Sequence, residues 1–155
     1  MNAVQLNAGG SKSGESQRRP RIIAVEEHFW TARIRGLSTD QYTLTAERAR
    51  KLDDLGEVRL REMDEAGIDL QVISLVQPGV QVFDAQSAIA LARETNDVLH
   101  QTIRSHPDRF AGFAAIATPD PQAAADELER TVTRCGFKGA MVCGLTNGDF
   151  LDDER

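Results

Sequence analysis

Four apolar runs constrain what this chain can fold into: residues 21–29, which hold Ile22-Ile23-Ala24-Val25; 69–76, DLQVISLV; 110–117, FAGFAAIA; and 137–144, FKGAMVCG. None alternates apolar with polar residues as a sheet with one wet face does. Continuous runs are the mark of parallel strands covered by helices. The connections agree. Residues 57–66 carry Leu60 and Met63 on one helical face and stop at Gly67, placed as a C′ glycine. Asp84 is a natural N-cap, and Ala85, Ala88, Ile89, Ala92, Leu99 and Ile103 form one stripe that Pro107 halts. Asp120-Pro121 opens a further helix, with Ala124, Leu128 and Val132 as its apolar stripe before Gly136. The connection over 30–54 is too long for a turn and holds Trp30, Gly36 and a short helical candidate from Leu44 to Leu52. The fold class is α/β.

Composition bounds the rest. At 155 residues, with 41% hydrophobic and 27% charged content, the chain holds one ordinary domain with a real core. A net charge of −6 argues against nucleic acid, whose phosphates need clustered Lys and Arg. No run reaches the roughly 18 apolar residues of a membrane span. Cys135 and Cys143 lack zinc-knuckle spacing and read as packing residues in a reducing, cytoplasmic compartment. Residues 1–20, rich in Asn, Gly, Ser and Gln, read as a disordered tail, and Lys12, Arg18 and Arg19 make no amphipathic transit peptide. The domain is therefore expected over 21–155.

The first run ends in Glu26-Glu27-His28. Parallel α/β proteins gather active residues at the carboxyl ends of their strands. Glu26 and His28, at i and i+2, project to one side, and Glu27 to the other. A carboxylate and an imidazole side by side form half of a site for Zn²⁺ or a harder ion such as Mn²⁺. Spacing alone leaves two readings open, a metal site or a strand ending in solvent.

The stretches AVEEHF, RLREMDEAGIDLQVISLVQPGVQ, NDVLHQTIRSHPDRFAGFAAIATPDPQAAADELER and GFKGAMVCGLTNGDFLDD resemble, in order and spacing, the amino-terminal half of amidohydrolase-superfamily decarboxylases. These include the γ-resorcylate, 2,3-dihydroxybenzoate and 5-carboxyvanillate decarboxylases and the aminocarboxymuconate-semialdehyde decarboxylase family. The resemblance implies about four βα units of a TIM (β/α)₈ barrel. It places metal ligands at Glu26 and His28, because these decarboxylases carry E-x-H where most amidohydrolases carry H-x-H. It implies one divalent ion, Zn²⁺ or Mn²⁺ with Mg²⁺ also possible, and no organic cofactor. The implied substrate is a small hydroxybenzoate-like carboxylic acid that chelates the ion, is protonated at the ring carbon bearing the carboxylate and loses CO₂. Full-length members are expected to be homo-oligomers, with no nucleic acid or membrane partner.

Family members run to about twice this length, and the resemblance puts their remaining ligands and the catalytic acid outside these residues, so no catalytic residue is identifiable here. His100 and His106 sit on or after the long helix and read as structural or solvent-facing. Gln77 and Pro78, after the second strand, and Thr146 and Asn147, after the fourth, are candidate substrate contacts; an ordinary turn is the alternative for each pair. Asp108 and Arg109 read as fixing the start of the third strand, and Arg33, Arg35 or Arg48 as solvated charges that could meet a carboxylate. Three functional classes remain: a fragment of a metal-dependent aromatic-acid decarboxylase, inactive as the isolated chain; a metal-dependent hydrolase of the same superfamily; or a non-catalytic half-barrel needing a partner chain.

Overall fold

A computed structural model describes residues 19–37 and 45–153. Of the expected tail, residues 1–18 lie outside that range, while Arg19 donates two hydrogen bonds, of 2.8 and 2.7 Å, to the Asp69 carboxylate. The elements run β1 (Ile23–Phe29), α1 (Ala32–Leu37), α2 (Ala46–Asp53), α3 (Glu57–Ala66), β2 (Leu70–Leu75), α4 (Ala85–Ser105), β3 (Phe110–Gly112) and α5 (Pro121–Cys135). The strands form a parallel sheet in the order β1-β2-β3.

Local chemistry places the helix ends where the sequence does. Asp84 accepts a hydrogen bond from the Ser87 amide and Asp120 from the Ala123 amide, each satisfying a donor the first helical turn leaves open. α3 and α5 end on Gly67 and Gly136, whose φ values of 70° and 73° suit a residue without Cβ. The candidate over 44–52 is α2, capped by Thr45, with Leu44 outside the described residues. α1 is a further helix within the long connection expected over 30–54.

The fourth expected strand, 137–144, is not a regular strand. It runs parallel to the chain beyond β3 through one isolated bridge, Ala114 to Ala140, with Lys138 N donating to Gly112 O, Ala114 N to Gly139 O and Met141 N to Ala114 O at 2.8–3.0 Å. Gly139, at φ 148°, interrupts the extended geometry, and no described strand pairs on its far side. The third run likewise keeps regular pairing only over Phe110–Gly112.

The core sits between the sheet and its helices and includes Met63, Ile73, Leu75, Leu91, Leu99 and Phe110. Gly112 lets α4 lie close, since a Cβ there would come within 2.9 Å of Ile103 and 3.0 Å of Leu99. The expected stripes face inward at Ala88, Ala92 and Leu99 on α4 and at Ala124 on α5, while Ile89 and Val132 at their margins are exposed and the polar Thr95, Asn96, Glu127 and Thr131 are buried beside them. The inward Asn96 is fully engaged: its amide accepts from Ala115 N and donates to Ala115 O, both at 2.9 Å, and donates to Glu127 Oε1 at 2.8 Å. One polar side chain thus joins α4, the post-β3 segment and α5, with both its amide oxygen and its amide nitrogen hydrogen-bonded. The expectation of doubly covered strands fails at β1, the sheet edge, where Ile23 and Val25 are half exposed.

Candidate functional site

β1 does not run in even register along β2. Ala24 pairs with Gln71 and Glu27 with Ile73, so three steps on one strand match two on the other. The extra residue falls at Val25-Glu26, at the approach to the strand's carboxyl end. A bulge of this kind re-aims a side chain. Beyond it, His28 pairs with Ser74 and Phe29 with Leu75.

Glu26 and His28 come together at this end. His28 Nε2 lies 3.8 Å from Glu26 Oε2, too far for a hydrogen bond. The Glu26 side chain is 82% exposed and that of His28 27%. The other ring nitrogen, Nδ1, is 3.0 Å from Ser74 Oγ. Glu27 goes the other way, with its carboxylate 3.9 Å from the Arg59 guanidinium. Arg59 is buried on α3 and donates to the backbone carbonyls of His28 at 2.7 Å, Lys51 at 3.1 Å and Asp54 at 2.8 Å, and to Gln71 Oε1 at 3.3 Å. Burial pushes the Arg59 guanidinium down, and the Glu27 and Asp54 carboxylates offset part of that. These bonds clamp the backbone of the Glu26–His28 segment from behind.

The donor set fits a divalent ion: one carboxylate oxygen and one imidazole nitrogen from a rigid strand end. It is half of a usual set, and among the described residues no group of three His, Cys, Asp or Glu is placed to hold a metal.

The other sequence candidates take different places. Gln77 and Pro78 lie in the turn after β2, Gln77 exposed and Pro78 partly buried. Thr146 is fully buried and donates to Thr118 Oγ1 at 2.7 Å, and Asn147, at φ 51°, donates to Phe83 O at 3.1 Å. Gln81, also buried, joins the two loops: its amide donates to Gly144 O and Leu145 O at 3.3 and 3.4 Å and accepts from Cys143 N. The sequence reading missed Gln81, Ser74 and Arg59. His106 follows α4 and stacks edge-on with Phe110, and Arg109 reaches the Ile68 and Asp69 carbonyls and the Asp64 carboxylate. Arg33 pairs with Glu94 and Arg35 with Asp53. A cavity of about 490 Å³ lies between β1, α2 and α3, lined by Glu27, His28, Leu52, Arg59 and Met63 among others, and Glu26 is not among its lining residues.

A family model described as Amidohydrolase matches residues 23–155. The chain belongs to the amidohydrolase family. The α/β unit is accordingly part of an amidohydrolase barrel, seen over its parallel strands and covering helices. A γ-resorcylate decarboxylase of Rhodococcus jostii (strain RHA1) is 42% identical over 133 residues, which are 84% of this chain and 40% of that protein. Among solved structures, a 2,6-dihydroxybenzoate decarboxylase complexed with 2,6-dihydroxybenzoate is 39% identical with a TM-score of 0.75, covering 81% of this chain and 39% of that one. A dihydroxybenzoic acid decarboxylase of Polaromonas sp. JS666, with bound manganese and the inhibitor 2-nitroresorcinol, is 40% identical with a TM-score of 0.73, covering 80% of this chain and 38% of that one. The chain thus spans about two fifths of the length of these relatives. No helix among the described residues is long and apolar enough to cross a membrane.

Proposed function

We propose that this chain is part of a metal-dependent, non-oxidative decarboxylase acting on a hydroxybenzoate-like aromatic acid, in which Glu26 and His28 supply two ligands of a single divalent ion. The observation that carries the reading is their juxtaposition, 3.8 Å apart at the carboxyl end of β1 just past a bulge. When bound, such an ion supplies substrate orientation and charge stabilisation. Mn²⁺ and Zn²⁺ suit a mixed carboxylate and imidazole pair, with Mg²⁺ a poorer match to nitrogen. No organic cofactor is needed, because replacing the carboxylate by a proton on the ring carbon changes no oxidation state that the protein must supply.

The chain's own residues hold the geometry. Arg59 fixes the His28 carbonyl from the helix side, and Gln81 fixes the loop carrying Gln77 and Pro78 against that carrying Thr146 and Asn147. These four residues are the proposed substrate-side contacts, with Gln77 and Asn147, the exposed two, nearest in character to direct partners. Assembly into homo-oligomers and a cytoplasmic setting, which suits the two free cysteines, belong to the same proposal.

The test is Mn²⁺ binding by the chain, followed by electron paramagnetic resonance. Glu26→Gln and His28→Gln each lower the affinity at least tenfold, whereas Glu27→Gln, on the opposite face, leaves it within a few-fold. Equal affinity in all four proteins would sink the metal assignment. Release of CO₂ from 2,6-dihydroxybenzoate by the longest protein that the reading frame encodes tests the activity, and intact substrate with saturating Mn²⁺ would count against it.

A further inference from the structure

We infer that Ser74 is a positioning residue for His28, holding its imidazole with the proton on Nδ1 so that the Nε2 lone pair faces the side where Glu26 presents its carboxylate. The inference rests on the metal reading of Glu26 and His28 and adds a residue to it. Ser74 is fully buried in the central strand, directly across the ladder from His28. Its Oγ lies 3.0 Å from His28 Nδ1 and 3.5 Å from the Glu27 carbonyl oxygen. A serine hydroxyl has one proton to donate and lone pairs to accept with. A carbonyl only accepts, so a hydroxyl proton turned toward Glu27 O, a long contact at 3.5 Å, leaves Oγ to accept from Nδ1–H at 3.0 Å. The opposite assignment would abandon the Glu27 carbonyl and put a proton on Nε2, whose nearest carboxylate oxygen is 3.8 Å away, beyond hydrogen-bond reach. Histidine ligands to metals are set in this way by the bond their other nitrogen makes.

The position has a structural cause. The bulge at Val25-Glu26 shifts the register by one residue, and only in the shifted register does His28 stand opposite Ser74. Without it, by counting on from Ala24 opposite Gln71, His28 would face Leu75, which has no hydroxyl. The bulge therefore aims Glu26 and delivers the partner of His28 in one step.

The experiment uses the full chain labelled with ¹⁵N-histidine and reads imidazole nitrogen shifts by solid-state NMR at about pH 8.5, above the ordinary histidine range. The three histidines are distinguished by difference against His28→Gln. The expected wild-type pattern is Nδ1–H for His28, lost in Ser74→Ala and restored in Ser74→Thr, which keeps the hydroxyl. Mn²⁺ titration, read by loss of the His28 signal, should weaken by about 10- to 100-fold in Ser74→Ala and recover in Ser74→Thr. An Nε2–H pattern in the wild type would overturn the inference without any variant, as would an unchanged tautomer in Ser74→Ala. If Ser74→Ala disturbs the fold, Ser74→Cys, nearly isosteric and a weaker acceptor, replaces it, with the same shift away from Nδ1–H expected. A wild-type Nδ1–H pattern with no response to Mn²⁺ supports the Ser74 contact while overturning the metal reading. Loss of the signal on Mn²⁺ addition with an Nε2–H pattern does the reverse.

Discussion

Glu127 shows how one side chain on this chain carries a solution property. It lies in the α4–α5 interface, with its carboxylate accepting from Asn96 at 2.8 Å and from Arg130 at 2.6 and 2.7 Å. Burial pushes the Glu127 carboxyl up, but the Arg130 and Asn96 hydrogen bonds and the Arg130 charge outweigh it and hold the group below the usual carboxylate range. A carboxyl lowered by folding contributes stability that is present above its unfolded value, about 4.3, and is lost as pH falls through the folded one. Melting temperature measured from pH 6 down to about pH 3 should therefore fall, and the fall should be shallower in Glu127→Gln; parallel curves would refute the assignment. Asn96 is the partner that matters most to the backbone. Asn96→Ala leaves the Ala115 amide and carbonyl without their side-chain partner, a loss of about 2–3 kcal/mol readable in urea unfolding. Spacing puts Asn96 and Glu127 on the inward stripes of their helices, but nothing in the sequence tells what a buried amide and carboxylate bond there. Their partners are 19 and 31 residues away from Asn96, and spacing within one helix carries no trace of them.

At the scale of elements, sequence and structure agree best where the chemistry is local. Asp84, Asp120, Gly67 and Gly136 end or begin helices through bonds to groups within a few residues, so their roles are written in the adjacent sequence. Asp120→Ala should cost about 1 kcal/mol, and Gly136→Ala, forcing a Cβ residue to hold φ 73°, about 1 kcal/mol as well. Calorimetry that finds either variant as stable as the wild type would contradict the capping account. Agreement is poorer for the strands. FKGAMVCG has the composition of a buried strand, yet regular pairing needs partners on the ladder, and Gly139 together with an unpaired far side leaves one bridge. The bulge in β1 was equally invisible, because register is a relation between two strands.

Over the whole molecule, apolar surface is left uncovered at both edges of the sheet. Ile22, Ile23 and Val25 along β1 are 48–52% exposed, and Val142 on the run beyond β3 is 37% exposed. An unpaired strand edge with bare aliphatic residues is a template for association. The 155-residue chain is therefore expected to self-associate in light scattering coupled to size exclusion, and Val25→Lys, which places a charge on the β1 edge, to reduce it. A monodisperse monomer with one cooperative unfolding transition would overturn that expectation.

The sequence by itself determined the α/β class, the helix termini, the placing of Glu26 and His28 at a strand's end and the family likeness, because each depends on neighbouring residues or on motif order. Only the tertiary structure decided which partners the buried polar groups Asn96 and Glu127 take, that the fourth run forms a single bridge, and that Ser74, Gln81 and Arg59 support the site. Those features depend on strand register and on contacts between residues far apart in the chain, and a bulge of one residue changes every such pairing at once.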